Sequence, residues 1–191
     1  MSDKIFNNKT VVIAGVGGLG SNVATLLTRM NIGKLILIDF DKVQKSNLNR
    51  QNYYKRHIGM KKVKACKEVL ESIGHDTEIE IYDKKLTEKN MKRFLSKGDI
   101  IVEAFDKANE KAKLTNFVLN NLADKYLVGA SGIGGFLSNN SIKTTRIKDK
   151  YYLIGDLESG IDLGMYGPRV NIAASMQANT VLRIIRKELC V

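Results

Sequence analysis

Val11-Val12-Ile13-Ala14-Gly15-Val16-Gly17-Gly18-Leu19-Gly20 is the stretch that decides the fold of this chain. Its first four residues form a short apolar run, the pattern of a strand buried on both faces of a parallel sheet. Gly15, Gly17, Gly18 and Gly20 then turn the backbone into a helix expected to begin near Ser21. Glycine lets the main chain approach a phosphate closely and adopt positive φ. The unpaired N–H groups of a helix start face such an anion. Nineteen residues past Gly20, a second apolar run, Leu35 to Ile38, ends in Asp39, with Phe40 and Asp41 after it. Dinucleotide-binding folds place a ribose-binding acid at about this distance. Strand, glycines, helix, strand and terminal acid in that order point to a nucleotide site. A glycine turn that only packs strand on helix is the plain alternative.

The next segment narrows the nucleotide. Ser46-Asn47-Leu48-Asn49-Arg50-Gln51 is followed by Gly59-Met60-Lys61-Lys62-Val63-Lys64-Ala65. An NAD-dependent dehydrogenase needs neither motif. Arg50 offers a planar fork for a phosphate, and Lys62 a point charge. From Lys42 to Lys67 there are nine Lys/Arg and no Asp/Glu. Such a run beside a glycine-rich phosphate loop suits a triphosphate. A solvated basic face in a lysine-rich protein is the competing reading for most of these lysines.

The coarse order alternates strand and helix. Strands are predicted near 10–14, 34–39, 77–82, 99–104 and 126–130, and helices near 20–31, 60–73, 87–96 and 108–124. That alternation specifies an α/β, Rossmann-like, doubly wound and mainly parallel sheet. Beyond Gly132 the pattern changes. Phe136-Leu137-Ser138 and Ile142-Lys143-Thr144-Thr145 are predicted as a short antiparallel hairpin turning at Asn139-Asn140. A long amphipathic helix is predicted from Asn171 to Leu189.

The chain has 191 residues, 43% of them hydrophobic, so one domain, 1–191, with a sizeable core is expected. The longest uncharged stretch, Val11 to Thr28, contains four glycines and is no membrane span. MSDKIFNNK lacks an apolar h-region, so no secretory signal is expected. Cys66 and Cys190 lie 124 residues apart, which fits a reducing cytoplasm better than a disulfide framework. The net charge of +11 raises nucleic acid as a partner. However, the lysines are spread along the chain, without a helix-turn-helix, finger or stacking-aromatic motif. No nucleic-acid partner is expected; an acidic protein partner steered by charge is the functional alternative. His57 and His75 are expected to be exposed and are assigned no role.

Together, G-x-G-G-L-G, D-F-D, S-N-L-N-R-Q and G-x-x-K resemble the ThiF/MoeB/HesA family, relatives of ubiquitin-activating enzymes. The similarity continues through Ile100 to Asp106, through Lys111 where the family often has arginine, and through Asn116. It extends to Gly129-Ala130-Ser131-Gly132, Gly134-Gly135 and Gly167-Pro168-Arg169-Val170, covering roughly Lys9 to Lys187. The resemblance implies ATP-dependent adenylation of the C-terminal glycine of a small ubiquitin-like sulfur-carrier protein. It is closest to short ThiF-like proteins of thiamine (thiazole) synthesis, with a ThiS-like carrier; a MoaD-like carrier fits as well. It also implies a homodimer. By resemblance, Gly15, Gly17, Gly18 and Gly20 form the phosphate loop. Asp39 binds the ribose hydroxyls, with Asp41 beside it. Arg50 and Lys62 hold phosphates, Asn47 and Gln51 orient the site, and Asp106 meets Mg²⁺ or the phosphates. A helix N-cap is the competing role for Asp106.

Three departures from the family pattern matter. Its two Cys-x-x-Cys pairs are missing: Lys150 to Asp156 holds no cysteine, and the chain ends at Val191. No structural zinc is therefore expected. Cys66 falls mid-helix and reads as a small buried residue; Cys190 is penultimate, so adenylation without a catalytic thiol is expected. The N-terminal helix whose arginine reaches a partner subunit's ATP has no counterpart in this sequence. Two other classes stay open: an NAD-linked redox enzyme, and a carrier-binding module without catalysis.

Overall fold

The computed structural model describes residues 4–74 and 76–187; His75, Leu189 and Cys190 lie outside them. The order of elements is β1 (Thr10–Ala14), α1 (Gly18–Arg29), β2 (Lys34–Asp39), α2 (Lys62–Glu71), β3 (Glu78–Asp83) and α3 (Glu88–Leu95). There follow β4 (Ile100–Glu103), α4 (Ala108–Asn121), β5 (Tyr126–Ala130), β6 (Lys143–Lys148), β7 (Tyr151–Gly155) and α5 (Gly167–Arg186). Seven strands form one sheet in the order β3-β2-β1-β4-β5-β7-β6. All neighbours are parallel except the β6–β7 edge pair. The doubly wound, Rossmann-like α/β fold is thus the observed one. Among the described residues, no helix is long and apolar enough to cross a membrane.

Alternation along the central strands builds two cores. Val11 and Ile13 of β1, with Leu35 and Leu37 of β2, face one layer together with Val23 and Leu27 of α1 and Val181 of α5. Val12 and Ala14, with Ile36 and Ile38, face the other, with Met91 of α3 and Leu114 and Val118 of α4. A period of two, apolar on both sides, is what a sheet covered by helices on both faces requires.

Helix α1 starts at Gly18, three residues earlier than expected, so Gly18 and Gly20 are helical. The cause is packing. A Cβ on Gly20 would fall on the carbonyl oxygen of Gly15, so only glycine lets the helix close against the preceding turn. Gly15 itself has φ +90, and a Cβ there would stand 2.9 Å from the Ala104 carbonyl oxygen.

The expected hairpin is corrected. Asn139–Ser141 is a 3-10 turn, and Phe136 is exposed outside any strand. The hairpin is instead β6–β7, closed by Arg146, whose Nε and Nη2 donate to the Asp149 carbonyl at 3.2 and 3.0 Å. Tyr151-Tyr152-Leu153-Ile154 then enters the sheet parallel to β5. Helix α5 begins at Gly167 rather than Asn171, with Pro168 in its first turn, where a missing N–H costs no hydrogen bond. His57 is fully buried, against expectation. Its Nδ1 accepts from the Tyr54 N–H at 3.1 Å, and the rings of Tyr53 and Tyr54 pack edge-on against it. Burial, aided by nearby Arg56, holds its pKa below the usual histidine value.

Candidate nucleotide site

The carboxyl ends of β1, β2 and β4 open into a cleft of about 340 Å³. Gly15, Gly17, Gly18, Asp39, Asp41, Arg50, Lys62 and Asp106 all line it. Gly20, Asn47 and Gln51 do not. Gly20 packs α1 on the turn. Asn47 is buried and structural, its Oδ1 accepting from the Gln44 N–H at 3.0 Å. Gln51 lies beneath the glycine loop, with Nε2 3.7 Å from the place a Gly17 Cβ would take. Its buried Oε1 finds no partner among the described residues.

Each charged side chain is set by its local backbone. Asp39 ends β2, and both carboxylate oxygens accept main-chain N–H groups: Oδ2 from Val16 and Oδ1 from Asp41, each at 2.8 Å. These bonds aim the carboxylate across the glycine loop and leave lone pairs free to accept further hydrogen bonds. Lys62 opens α2 and is almost buried. Its Nζ pairs with Asp41 Oδ2 at 2.9 Å, while its N–H donates to the Asp41 carbonyl, also at 2.9 Å. Asp41 therefore holds Lys62 in place at the cleft wall. Arg50 Nη1 donates to the Ser46 carbonyl at 3.1 Å and to Asn49 Oδ1 at 2.8 Å. Nε and Nη2 meet no acceptor among the described residues.

Several residues of the site escaped sequence reasoning. The buried Tyr53 hydroxyl donates to the Val16 carbonyl, tying the arginine-bearing segment to the glycine loop. Burial, with Cys66 and Asp39 nearby, holds that hydroxyl well above the usual tyrosine pKa, so it remains a donor. Asn22 Nδ2 donates to the Gly18 and Arg50 carbonyls at 2.6 and 3.0 Å, a second tie. Phe40, Lys84, Lys85, Leu86, Glu110 and Met165 also line the cleft. Most sit just past strand ends, where open α/β sheets bind ligands; that rule was the available signal.

Asp106 is exposed at the rim and makes no hydrogen bond or ion pair with any described residue. It does not cap α4; Lys107 occupies the N-cap, without a side-chain bond. Cys66 is buried on α2. Burial, with Asp39 adding to it, pushes its thiol up to about 12, so at neutral pH it is no thiolate nucleophile. Among the described residues, no group of three or more His, Cys, Asp or Glu is placed to hold a metal.

A glycine loop, an acid closing the next strand and facing cations stand together at the carboxyl edge of a parallel sheet, where doubly wound α/β domains bind ligands. The chain belongs to the ThiF family, which matches residues 2–190. Members of that family are ATP-dependent adenylyltransferases that activate ubiquitin-like proteins. Ubiquitin-like modifier-activating enzyme 5 of Caenorhabditis briggsae is 46% identical over 80 residues, 42% of this chain and 18% of that protein. The Bombyx mori enzyme of the same name is 42% identical over 102 residues, 51% of this chain and 26% of that one. The chain thus spans well under a third of either relative. Among solved structures, E. coli tRNA N6-threonylcarbamoyladenosine dehydratase, TcdA, in complex with AMP superposes with a TM-score of 0.87 at 21% identity. That match covers 98% of this chain and 90% of TcdA. E. coli MccB with ATP gives 0.76 at 22% identity, over 97% and 58% of the two chains. At these identities the likeness is one of fold.

Proposed function

We propose that this chain binds ATP with Mg²⁺ and adenylates the C-terminal glycine of a small ubiquitin-like sulfur-carrier protein. The carrier is ThiS-like, in thiamine (thiazole) synthesis, and the protein works as a cytoplasmic homodimer. One observation carries the reading: Asp39, Arg50, Lys62 and Asp106, spread over 68 positions of sequence, line a single cleft with the glycine loop.

The reaction joins two anions. A carrier carboxylate oxygen attacks the α-phosphorus, a new O–P bond forms, the bond to the β-phosphate oxygen breaks, and pyrophosphate leaves with the electron pair. Repulsion and leaving-group charge set the barrier, so positioning and cations do most of the work. Asp39 accepts from the ribose hydroxyls. The glycine-loop N–H groups meet phosphate oxygens, with Gln51 supporting that loop from beneath. Arg50 presents Nε and Nη2 to the phosphates, and Lys62, held by Asp41, adds a fixed positive charge. The cleft suits Mg²⁺: Asp106 is an unpaired hard-oxygen ligand, and this ion commonly takes one or two carboxylates plus substrate phosphates. Held there by Asp106 and the phosphates, the ion would supply positive charge against the phosphate oxygens.

Carrier-dependent exchange of labelled pyrophosphate into ATP tests the proposal, run with ThiS-like and MoaD-like carriers to separate the two substrates. Arg50→Ala and Lys62→Met are each expected to lower exchange by roughly 10²–10³, the usual cost of removing one preorganised charge donor. A parent protein that binds ATP yet exchanges with neither carrier would leave a carrier-binding module in place of an enzyme.

A further inference from the structure

We propose that Lys111 is a positioning residue of the nucleotide site, acting through the buried Glu103 on the loop that presents Asp106. This rests on the adenylation reading in one respect, that Asp106 is the carboxylate meeting the metal–phosphate group.

Glu103 ends β4 and is 2% exposed. Lys111, in the first turn of α4, sends its ammonium to both carboxylate oxygens, each at 3.1 Å, and to the Ala130 carbonyl at 2.9 Å. An ammonium has three donors, and all three acceptors are provided. Glu103 Oε1 also accepts the Phe105 N–H at 2.7 Å. From α5, Gln177 Nε2 donates to the Glu103 carbonyl at 3.1 Å and to the Val128 carbonyl at 3.3 Å. One carboxylate therefore grips the chain on both sides of Asp106: Phe105 just before it, and Lys111 on the helix that follows.

Asp106 sits between these two grips and has no bond of its own to any described residue. Its place is set by the bonds on either side. The same turn backs the glycine loop, because the Ala104 carbonyl fills the space a Gly15 Cβ would need. Without the Lys111 ammonium, Glu103 is a carboxylate stranded in a dry layer. It must take up a proton or move toward water, and either change loosens its hold on the Phe105 N–H. A misplacement of about 1 Å at a reacting group can cost on the order of 10²-fold.

The test is a double-mutant cycle on ATP affinity, measured by calorimetry with Mg²⁺ and with EDTA. It uses the parent, Lys111→Met, Asp106→Asn and the double variant. Asp106→Asn is expected to remove about tenfold of the Mg²⁺-dependent gain in affinity, the scale of one charge-assisted contact. Lys111→Met should remove most of the same gain, although its side chain does not line the cleft. The double variant should then be no worse than Asp106→Asn alone, and Lys111→Arg should restore the gain. A merely structural lysine lowers the melting temperature but leaves the Mg²⁺ gain intact, or gives losses that multiply in the double variant; either result overturns the inference. Should Lys111→Met fail to fold, Lys111→Gln keeps an uncharged amide donor group, and an unchanged Mg²⁺ gain in it overturns the inference equally. A parent that binds no ATP refutes the adenylation reading itself. One that binds ATP with independent losses refutes only the role of Lys111.

Discussion

Arg169→Met removes the guanidinium at the centre of a buried junction behind the cleft. Arg169 is 3% exposed. Its Nη1 donates to the Leu137 and Ser138 carbonyls, each at 3.1 Å, and its Nη2 to Ser141 Oγ at 3.1 Å and Asp156 Oδ2 at 2.6 Å. One side chain thus ties the start of α5 to the 137–141 and 156–159 segments. Breaking a buried pair by deleting one partner typically costs about 3–5 kcal/mol, because the remaining charge is uncompensated. The low end applies here. Asp156 Oδ1 keeps the Glu158 N–H at 2.9 Å, the Ser159 N–H at 2.8 Å and Ser159 Oγ at 3.0 Å. For a chain of this size, each kcal/mol moves the melting temperature by about 2–4 °C, so a drop of roughly 6–12 °C is expected at pH 7.

Acid supplies the second arm of this test. Burial opposes ionisation of Asp156, but the Ser159 and Glu158 donors and Arg169 outweigh it and hold its pKa below the ordinary 3.8. A carboxyl with a depressed folded pKa contributes stability above its unfolded pKa, and that contribution is lost as pH falls through the folded value. The gap between parent and Arg169→Met should therefore narrow below about pH 4. Adding Asp156→Asn to Arg169→Met should recover part of the loss at pH 7. Calorimetric melts of the three proteins from pH 7 to pH 3 decide the matter. A drop under 2 °C at pH 7, or a gap that widens in acid, would refute the reasoning.

Parent protein should bind ATP more tightly than NAD in calorimetry, and Asp39→Ala should weaken ATP by tenfold or more, the worth of about 1.5–3 kcal/mol for a charge-assisted bond; tighter NAD binding in the parent sinks the reading. In a Cys190→Ser background, Cys66 should resist Ellman's reagent in the native state and react once the chain is unfolded, since burial keeps the thiol protonated and covered. Rapid native labelling would show Cys66 to be accessible. Cys66→Ala should leave carrier-dependent exchange within a few-fold of the parent, and a folded variant without exchange would bring a thiol into the chemistry. Elemental analysis should find zinc well below one equivalent per chain, and a stoichiometric amount surviving chelation would contradict that.

The candidate site was readable where neighbours in sequence are neighbours in space. The glycine run, the strand before it and the acid ending the next strand are each specified by local backbone demands. These demands are buried apolar runs, small residues at a close turn and a charge at a strand end. Lys62 and Arg50 stood out by charge, but the sequence alone carried no sign that Asp41 pairs with Lys62, or that Asn47 turns away from the cleft to close its own turn. Asp106 fell at the expected strand end, while its freedom from the α4 N-cap depends on where that helix starts.

What the sequence by itself determined is the α/β alternation, the buried central strands and the glycine-loop edge of the sheet, because strand and helix periodicity and glycine sterics act over a few residues. Only the tertiary structure decided the rest. Tyr151–Gly155 is a parallel partner of β5, a pairing across more than twenty residues that no local pattern encodes. Phe136 to Ser138 looks like a strand in the sequence, yet among the described residues no strand pairs with it. His57 is buried because two tyrosines and α2 close over it. The Arg169–Asp156 junction and the Lys111–Glu103 grip each join residues whose charges look solvated in isolation. Removing charge from water is unfavourable without a partner at the right distance, and that partner is supplied by chain topology rather than by nearby sequence.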